Sequence, residues 1–356
     1  MAALGLQAII DALPDPVIAL SRHATVIAAN KAARAIAPAL RQGEPVSLSL
    51  RNPALVQTVQ QALSSGQAQR VRFEGKRFER WYEAHVIPAS GLEGVPGGES
   101  LFILTLHDLT PLRRAEAVRA DFIANASHEL RTPLAALSGF IDTLRGSARD
   151  DPNARERFLD IMQAQARRMA RLVDDLLSLS RVELSEHIEP EGSADLEALV
   201  RHVVDALQTL AAERDLEVSV APAPRPLVVR GDWDELVRVF ENLVENALKY
   251  GASGKRVEIG FDLVPGSGKT RPMAQVSVRD YGPGIAPEHL PRLTERFYRV
   301  DVGLSRAEGG TGLGLALAKH IVNRHRGKLV IESELGAGST FSVLLPLANG
   351  DGSGQY

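Results

Sequence analysis

The chain has 356 residues, of which 44% are hydrophobic and 24% charged, and its formal net charge is −3. This length exceeds what one hydrophobic core usually serves, so we expect two to three domains. The small negative charge argues against a nucleic-acid partner, and the absence of cysteine excludes disulfides, thiolate metal sites and cysteinyl cofactor adducts.

No stretch of the sequence predicts a membrane span. The most apolar early run, AIIDALPDPVIAL, carries two acidic residues and two prolines in 13 residues, whereas a span needs about 20 mostly apolar residues. The start, MAALGLQAII, lacks the basic region of a signal peptide. We therefore expect a cytoplasmic chain. The sequence leaves open whether it associates with a membrane through a partner or is part of a longer receptor.

Residues 1–110 are predicted to form a small α+β domain. Strand-like runs alternate there with short helical ones, and the strand-like runs are PVIALS, TVIAAN, RVRFEG, RWYEAHVIP and SLFILTLHD. The last strand leads into LTPLRRAEAVRADF, where Pro111 suits the first turn of a helix.

Residues 111–187 are predicted to form an antiparallel helical hairpin, broken at GSARDDPN. Both helices carry a stripe that recurs every three or four residues. The stripe residues are Val118, Phe122, Ala126, Leu130, Leu134, Leu137, Ile141 and Leu144, then Phe158, Met162, Gln165, Met169, Leu172, Leu176 and Leu179. Two such helices cannot bury their stripes alone, so we expect a homodimer built on a four-helix bundle. A monomeric hairpin packed on a neighbouring domain is the alternative.

Residues 190–347 alternate longer helical runs with strands, which predicts an α/β sandwich of helices over one sheet. The helical runs are ADLEALVRHVVDALQTLAAERD, DWDELVRVFENLVENALKYG and TGLGLALAKHIVNRHRG, and the strands are LEVSVAP, RVEIGFDLV, AQVSVRDYG, KLVIESEL and STFSVLLPL. GAGSTF predicts a hairpin turn into the last strand. Residues 348–356 predict a disordered tail. The chain as a whole is therefore predicted to be a multidomain α+β protein.

The stretch FIANASHELRTPLAAL contains a candidate nucleophile. With Ala126 and Leu130 on the buried face, His128 lies about 200° around the helix from Ala126 and should face solvent, on the same face as Thr132. Pro133 should bend the helix just beyond it. An exposed imidazole next to the carboxylate of Glu129 is a nucleophile with its own base. An ordinary solvated histidine is the alternative.

A second candidate site lies on the helix DWDELVRVFENLVENALKYG. Asn242, Asn246 and Lys249 follow helical spacing on the face opposite its apolar stripe. A carboxamide oxygen suits a hard cation such as Mg²⁺, which takes few protein ligands beside phosphate oxygens, and a lysine can face those phosphates. An ordinary polar surface is the alternative.

Two glycine-rich stretches add to this picture. In RDYGPGIA, Gly282 and Gly284 let the backbone approach a flat ligand and Asp280 supplies an acceptor; a plain turn is the alternative. EGGTGLGLALAKHIV is a glycine-rich loop that opens a helix, whose free N–H groups favour phosphate. The loop does not match the dinucleotide-binding fingerprint, because it opens no βαβ unit.

Taken together and in this order, these stretches resemble the sensor histidine kinases of bacterial two-component systems, over about residues 108–347. FIANASHELRTPL resembles the phospho-acceptor box of that family, ENLVENALKY its asparagine box and ERFYRVD its phenylalanine box, while DYGPGI, GGTGLGL and GAGSTF resemble its glycine boxes. Residues 1–110 resemble a PAS sensor domain through DALPDPVIALSRHATVIAANKAA and LTLHDLT. SHELRTPL, FYRVD and KHIVNRHRG are most similar to the phosphate-regulon sensor subgroup.

The resemblance implies an ATP:protein-histidine phosphotransferase with a GHKL (Bergerat) ATP-binding fold and with ATP and Mg²⁺ as cofactors. It implies that His128 receives the γ-phosphoryl group, that Glu129 acts as its base, and that Thr132 positions water for dephosphorylating the partner. Asn246 would hold Mg²⁺ with Asn242 nearby, and Asp280 would accept from the adenine amino group. The other residues implied to contact the nucleotide or to close over it are Lys249, Tyr250, Gly282, Gly284, Arg299, Gly310, Thr311, Gly312, Leu313, Gly314 and Thr340.

The partners implied by the resemblance are a second copy of the chain and a response regulator receiver domain, whose aspartate takes the phosphoryl group. An unidentified ligand or upstream partner is implied for the PAS-like domain. Two other classes are alternatives. A binding-only signalling hub would not need Asn246 and Asp280, and a chaperone-like or topoisomerase-like ATPase would need neither the histidine box nor the hairpin. The sequence leaves open whether the chain acts mainly as a phosphatase. It also leaves open whether phosphorylation occurs within one subunit or across the dimer.

Overall fold

The computed structural model describes residues 2–75, 80–89, 101–146, 148–266, 271–301 and 310–348. They belong to two compact units, residues 1–121 and 122–356. All of the predicted tail except Ala348 lies outside the described residues.

The first unit is built on an antiparallel sheet with the strand order β2-β1-β5-β4-β3. Its strands are β1 (Val17–Leu20), β2 (Val26–Ala29), β3 (Gln69–Gly75), β4 (Arg80–Ala89) and β5 (Leu101–Asp108), and its helices are α1 (Ala2–Asp11), α2 (Lys31–Ile36) and α3 (Pro53–Ser65). Each strand matches a run predicted from the sequence to within one or two residues at either end.

Alternation along β1 separates two apolar clusters. Ile18 and Leu20 pack with side chains of α2 and α3, such as Ala33 and Leu55. Val17 and Ala19 point to the opposite face, where their cluster includes Ile10 of α1. The sheet is therefore covered on both faces, by α1 on one and by α2 and α3 on the other.

Asn30 fastens these elements together at the start of α2. It is 1% exposed. Its Oδ1 accepts from the backbone N–H groups of Val17 (3.0 Å) and Ala33 (2.9 Å), and its Nδ2 donates to carbonyl oxygens in and just after α1, including Ile10 (3.1 Å) and Asp15 (2.7 Å). The buried amide has all its hydrogen-bonding groups satisfied, which is what burial of a polar side chain requires.

Two long helices follow, α4 (Thr110–Arg145) and α5 (Pro152–Ser185). The helix α4 runs from the first unit into the second and continues through Pro133. Asp151 caps α5 by accepting from the N–H groups of Asn153 and Ala154, both at 3.0 Å. The hairpin predicted from the periodicity is present, with the ring centroids of Phe140 and Phe158 5.3 Å apart across it.

From residue 190 onwards, the described residues include helices that pack over a five-stranded sheet with the order β11-β12-β10-β9-β7. The strands are β7 (Glu217–Val220), β9 (Arg256–Val264), β10 (Met273–Asp280), β11 (Lys328–Glu334) and β12 (Gly338–Pro346), and a two-stranded sheet pairs β6 (Ser193–Asp195) with β8 (Val228–Arg230). The helices are α6 (Leu196–Ala206), α7 (Gln208–Glu213), α8 (Trp233–Tyr250) and α9 (Gly314–Arg324). The α/β sandwich and the β11–β12 hairpin at GAGSTF are confirmed.

One apolar core joins these helices to the sheet and extends to α5. Phe240 and Leu243 of α8 pack in it with Val276 of β10, and Leu172 and Leu179 of α5 belong to the same cluster. The helical hairpin therefore buries part of its stripe against the sandwich that follows it.

Candidate functional site

The helix α8 turns its polar face towards a cavity because its other face is buried in the core. Asp232 caps the helix by accepting from the N–H groups of Asp234 (3.0 Å) and Glu235 (3.1 Å). Seven apolar residues of α8 are buried. The opposite face presents Asn242, Asn246 and Lys249 to the cavity, and Tyr250 at the end of the helix also lines it.

The cavity has a volume of about 410 Å³, within the range typical of small-molecule sites. It lies among α8, the end of β10, the segment 298–301 and the start of α9. The sequence-predicted residues that line it are Asn242, Asn246, Lys249, Tyr250, Asp280, Gly284, Arg299, Gly310, Thr311, Gly312 and Gly314. The fold thus brings together residues that are far apart in the chain.

Asp280 occupies one wall of this cavity at the end of β10. It is 6% exposed, and its Oδ1 accepts from the N–H of Gly282 at 2.9 Å. Burial raises the pKa of this carboxyl, against the lowering effect of backbone hydrogen bonds from Gly282 and Ser339. Gly282 therefore holds Asp280 without itself lining the cavity.

The loop before α9 is shaped by two glycines. Gly312 has a φ of +73°, a backbone conformation that favours glycine. At Gly314 a Cβ would clash with Oδ1 of Asn242, so a residue with a side chain at this position would have to displace that of Asn242. Leu313 between them is fully buried in the core. It anchors the loop rather than lining the cavity.

The three residues predicted on α4 lie outside the cavity lining. His128 and Thr132 are exposed, and the Thr132 hydroxyl donates to the carbonyl of His128 at 3.2 Å. Glu129 is only 14% exposed, and its Oε2 accepts from Nη2 of Arg168 and from Nη2 of Arg299, each at 3.0 Å. Since Arg299 lines the cavity, Glu129 connects the histidine helix to the cavity wall.

Thr340 does not line the cavity, whereas its neighbours Ser339 and Phe341 do. In the β10–β12 ladder Ser339 pairs with Asp280 and Thr340 pairs with Arg279. Because side chains alternate along a strand, Ser339 and Phe341 share the face of Asp280 and Thr340 lies on the other.

Among the lining residues that were not singled out from the sequence, the acidic and basic ones are Arg171, Asp174, Asp175, Arg238, Glu241, Glu245 and Asp301. Glu241 and Glu245 lie beside the two asparagines of α8, so helical spacing was an available signal for them. Burial, together with the nearby Glu245, raises the pKa of Glu241. No local pattern marks the residues from α5.

Asp175 of α5 contacts the glycine loop directly. The Thr311 hydroxyl donates to its Oδ2 at 2.8 Å and accepts from the N–H of Leu313 at 3.2 Å. Burial raises the pKa of Asp175. The loop is therefore tied to the helical hairpin as well as to its own helix.

The donor set fits a nucleotide with a hard cation. The cavity offers a carboxamide (Asn246), cationic groups (Lys249 and Arg299) and a buried carboxylate acceptor (Asp280). Among the described residues, no cluster of three or more His, Cys, Asp or Glu could hold a metal ion. Mg²⁺ bound mainly by phosphate oxygens needs only one or two protein ligands, of the kind that a carboxamide oxygen supplies.

Models of three protein families match the chain. The PAS fold matches residues 10–114, the His Kinase A (phospho-acceptor) domain matches residues 118–185, and the histidine kinase-, DNA gyrase B- and HSP90-like ATPase matches residues 231–349. The second match contains His128 and Glu129, and the third contains the residues of α8, β10 and α9 that line the cavity.

Curated relatives are similar over the same region. The phosphate regulon sensor protein PhoR of Pseudomonas aeruginosa is 40% identical over 245 residues, which are 69% of this chain and 54% of that protein. The sensor-like histidine kinase SenX3 of Mycolicibacterium smegmatis is 37% identical over 244 residues, which are 68% of this chain and 62% of that protein. The chain thus spans little more than half the length of these relatives.

Among solved structures, the histidine kinase ThkA in complex with the response regulator TrrA matches with a TM-score of 0.50 and 19% identity, over 96% of this chain and 98% of that one. This likeness concerns the fold. Within the described part of the chain, no helix combines the length and the apolar character needed to cross a membrane.

Proposed function

Because the chain belongs to the PAS-containing sensor histidine kinases of two-component systems, we propose that it transfers the γ-phosphoryl group of ATP to its own His128. One observation carries this proposal. Arg299 lines the cavity and donates both to the carbonyl of Gly310 (2.9 Å) and to Glu129, the neighbour of His128 (3.0 Å). This contact links the cavity wall to the residue next to the exposed histidine, which supports the proposal.

Each residue of this site has a proposed role. His128 is the nucleophile, and Glu129 orients the ring and takes its proton. Lys249, Tyr250 and Arg299 contact the nucleotide, Asp280 accepts from the adenine amino group, and Gly310, Gly312 and Gly314 let the loop close over the phosphates. Rate enhancement then comes mainly from positioning and charge stabilisation.

We assign the cation site to Asn246, with Asn242 nearby. The amide Nδ2 of Asn242 donates to the carbonyl of Arg238 at 2.8 Å, which leaves its Oδ1 towards the start of α9, as its closeness to Gly314 indicates. Bound Mg²⁺ would neutralise charge on the phosphates. Lys249 is paired with Glu245, so we propose that it exchanges this partner for phosphate when nucleotide binds.

The test is autophosphorylation with radiolabelled Mg-ATP. The parent chain should acquire label that is labile in acid and stable in base. His128→Gln should abolish it, whereas His187→Gln, at another exposed histidine, should label like the parent. Labelling of His128→Gln equal to the parent would refute the assignment.

We propose a homodimer as the working form. Apolar residues of the hairpin remain exposed in the single chain, among them Leu134 (55%), Ile141 (43%), Leu159 (52%), Val173 (42%) and Leu177 (52%). Their exposure on a helical hairpin favours association with a second copy through a four-helix bundle.

The proposed acceptor of the phosphoryl group is an aspartate in a response regulator receiver domain, and Thr132 would position water in the reverse, dephosphorylating reaction. The similarity to PhoR favours a phosphate-regulon type of signalling. Deleting the gene should then alter the induction of phosphate-scavenging genes on phosphate limitation. Unchanged induction would contradict this part of the proposal, without bearing on His128.

A further inference from the structure

The carboxylate of Glu129 is a meeting point of three segments of the second unit. Its Oε2 accepts one hydrogen bond from Arg168 on α5 and one from Arg299, each at 3.0 Å. The side chains are 14% exposed for both Glu129 and Arg168 and 5% exposed for Arg299. Charge-assisted bonds in so sheltered a place are strong and directional, so both arginines constrain how the carboxylate lies.

The two arginines differ in the other groups that they serve. Arg299 lines the nucleotide cavity and also donates to Gly310, and its buried Nε has no hydrogen-bond partner among the described residues. Under the proposed function, its guanidinium also contacts the nucleotide. Arg168 does not line the cavity, and it lies on the same helical hairpin as Glu129.

We propose that Arg168 is a positioning residue for phosphoryl transfer to His128. It keeps the Glu129 carboxylate oriented beside His128 when Arg299 turns to the nucleotide phosphates. The inference rests on the proposed function and extends it to a residue on α5, 39 positions along the chain from Glu129.

The physical reason is the freedom of an unanchored glutamate. A general base must stay within about 2.6–3.2 Å of the atom whose proton it takes, and a glutamate side chain has several rotamers of similar energy. A guanidinium hydrogen-bonded to the carboxylate restricts that freedom. General-base catalysis typically raises a rate by about 10²–10⁴-fold. Losing the orientation of the base should therefore lower the labelling rate by about tenfold.

The test compares three variants of the full chain. Arg168→Gln removes the charge, Arg168→Lys retains one donor, and Arg167→Gln alters the adjacent, exposed arginine as a matched control. The rate of His128 labelling at saturating Mg-ATP and the half-saturating ATP concentration are measured for each. We expect Arg168→Gln to label about tenfold more slowly with the half-saturating concentration unchanged within about twofold, Arg168→Lys to recover most of the rate, and Arg167→Gln to match the parent.

A second background separates action through Glu129 from a general structural effect. In Glu129→Gln, the change Arg168→Gln should cause no further loss, because residues that act as one unit are not additive. An equal loss in both backgrounds would overturn the proposal. So would an unchanged rate for Arg168→Gln in the parent, or a loss that Arg168→Lys does not restore.

The parent chain distinguishes this inference from the proposed function. If the parent carries no label on His128, the proposed function fails and the role of Arg168 fails with it. If the parent labels and Arg168→Gln labels equally fast, only the role of Arg168 fails.

Discussion

Acidification below pH 6.5 should destabilise the second unit through His325, at the end of α9. This side chain is 4% exposed. Its Nε2 accepts from the N–H of Asp232 at 3.1 Å, so the neutral ring carries its proton on Nδ1 and donates it to the carbonyl of Ile321 at 2.8 Å. Burial lowers the pKa of His325. The neutral ring thus joins the end of α9 to the residue that caps α8.

The sign of the pH effect follows from this lowered pKa. In the unfolded chain a histidine has a pKa of about 6.5. Below that pH the unfolded chain binds a proton that the native chain excludes, so the free energy of unfolding falls as the pH falls towards the folded-state pKa. At pH 5.5 the loss amounts to at most about 1.4 kcal/mol relative to neutral pH.

The assay is urea unfolding between pH 8 and 5.5, followed by Trp233 fluorescence in a Trp81→Phe background, since the chain has 2 tryptophans. His325→Gln should be less stable than the background at pH 8 by about 1–2 kcal/mol. That difference should shrink by about 1 kcal/mol by pH 5.5, because glutamine does not titrate. His187→Gln, at an exposed position, is the control. A difference that stays constant with pH would refute the reasoning.

Three further predictions concern the cavity and the hairpin. Gly314→Ala should weaken binding of a non-hydrolysable ATP analogue at least about tenfold, because its Cβ would meet Asn242; Gly139→Ala, where a Cβ meets nothing within 4 Å, should bind normally. Burial raises the pKa of Asp280, so on acidification the affinity for the analogue should begin to fall at a higher pH than it would with an ordinary carboxyl. In a calorimetric titration, Asp280→Asn should bind the analogue weakly, and its affinity should not show this fall at acidic pH. Leu177→Glu should shift the sedimenting species from dimer to monomer, and an unchanged mass would contradict the bundle interface.

Local periodicity explains why the elements and much of the cavity could be predicted from the sequence. The positions of Asn242, Asn246 and Lys249 relative to the apolar residues of α8 depend only on 3.6 residues per turn. Strand alternation similarly located β9, β10 and β12 within a few residues. Helical spacing and strand alternation depend only on residues close together in the chain, so a single sequence is enough to predict them.

The register between paired strands, unlike the pattern within one strand, cannot be predicted from neighbouring residues alone. The pattern of β12 shows that Ser339 and Phe341 share one face, with Thr340 on the other. Which face meets the cavity depends on the pairing of Ser339 with Asp280, and a shift of one residue would exchange the faces. The resemblance implied that Thr340 contacts the nucleotide, whereas Ser339 and not Thr340 lines the cavity.

The surroundings of Glu129 show where tertiary structure adds what no local pattern contains. A carboxylate beside an exposed histidine predicts a base, but nothing in FIANASHELRTPL indicates that the fold leaves it only 14% exposed. Once it is so buried, a charged carboxylate requires paired, hydrogen-bonded partners. Arg168 and Arg299 meet that requirement from 39 and 170 positions away along the chain. Which charged side chains need a partner is known only once the fold shows which of them are buried. The role of Arg168 on α5 could therefore be inferred only from the structure.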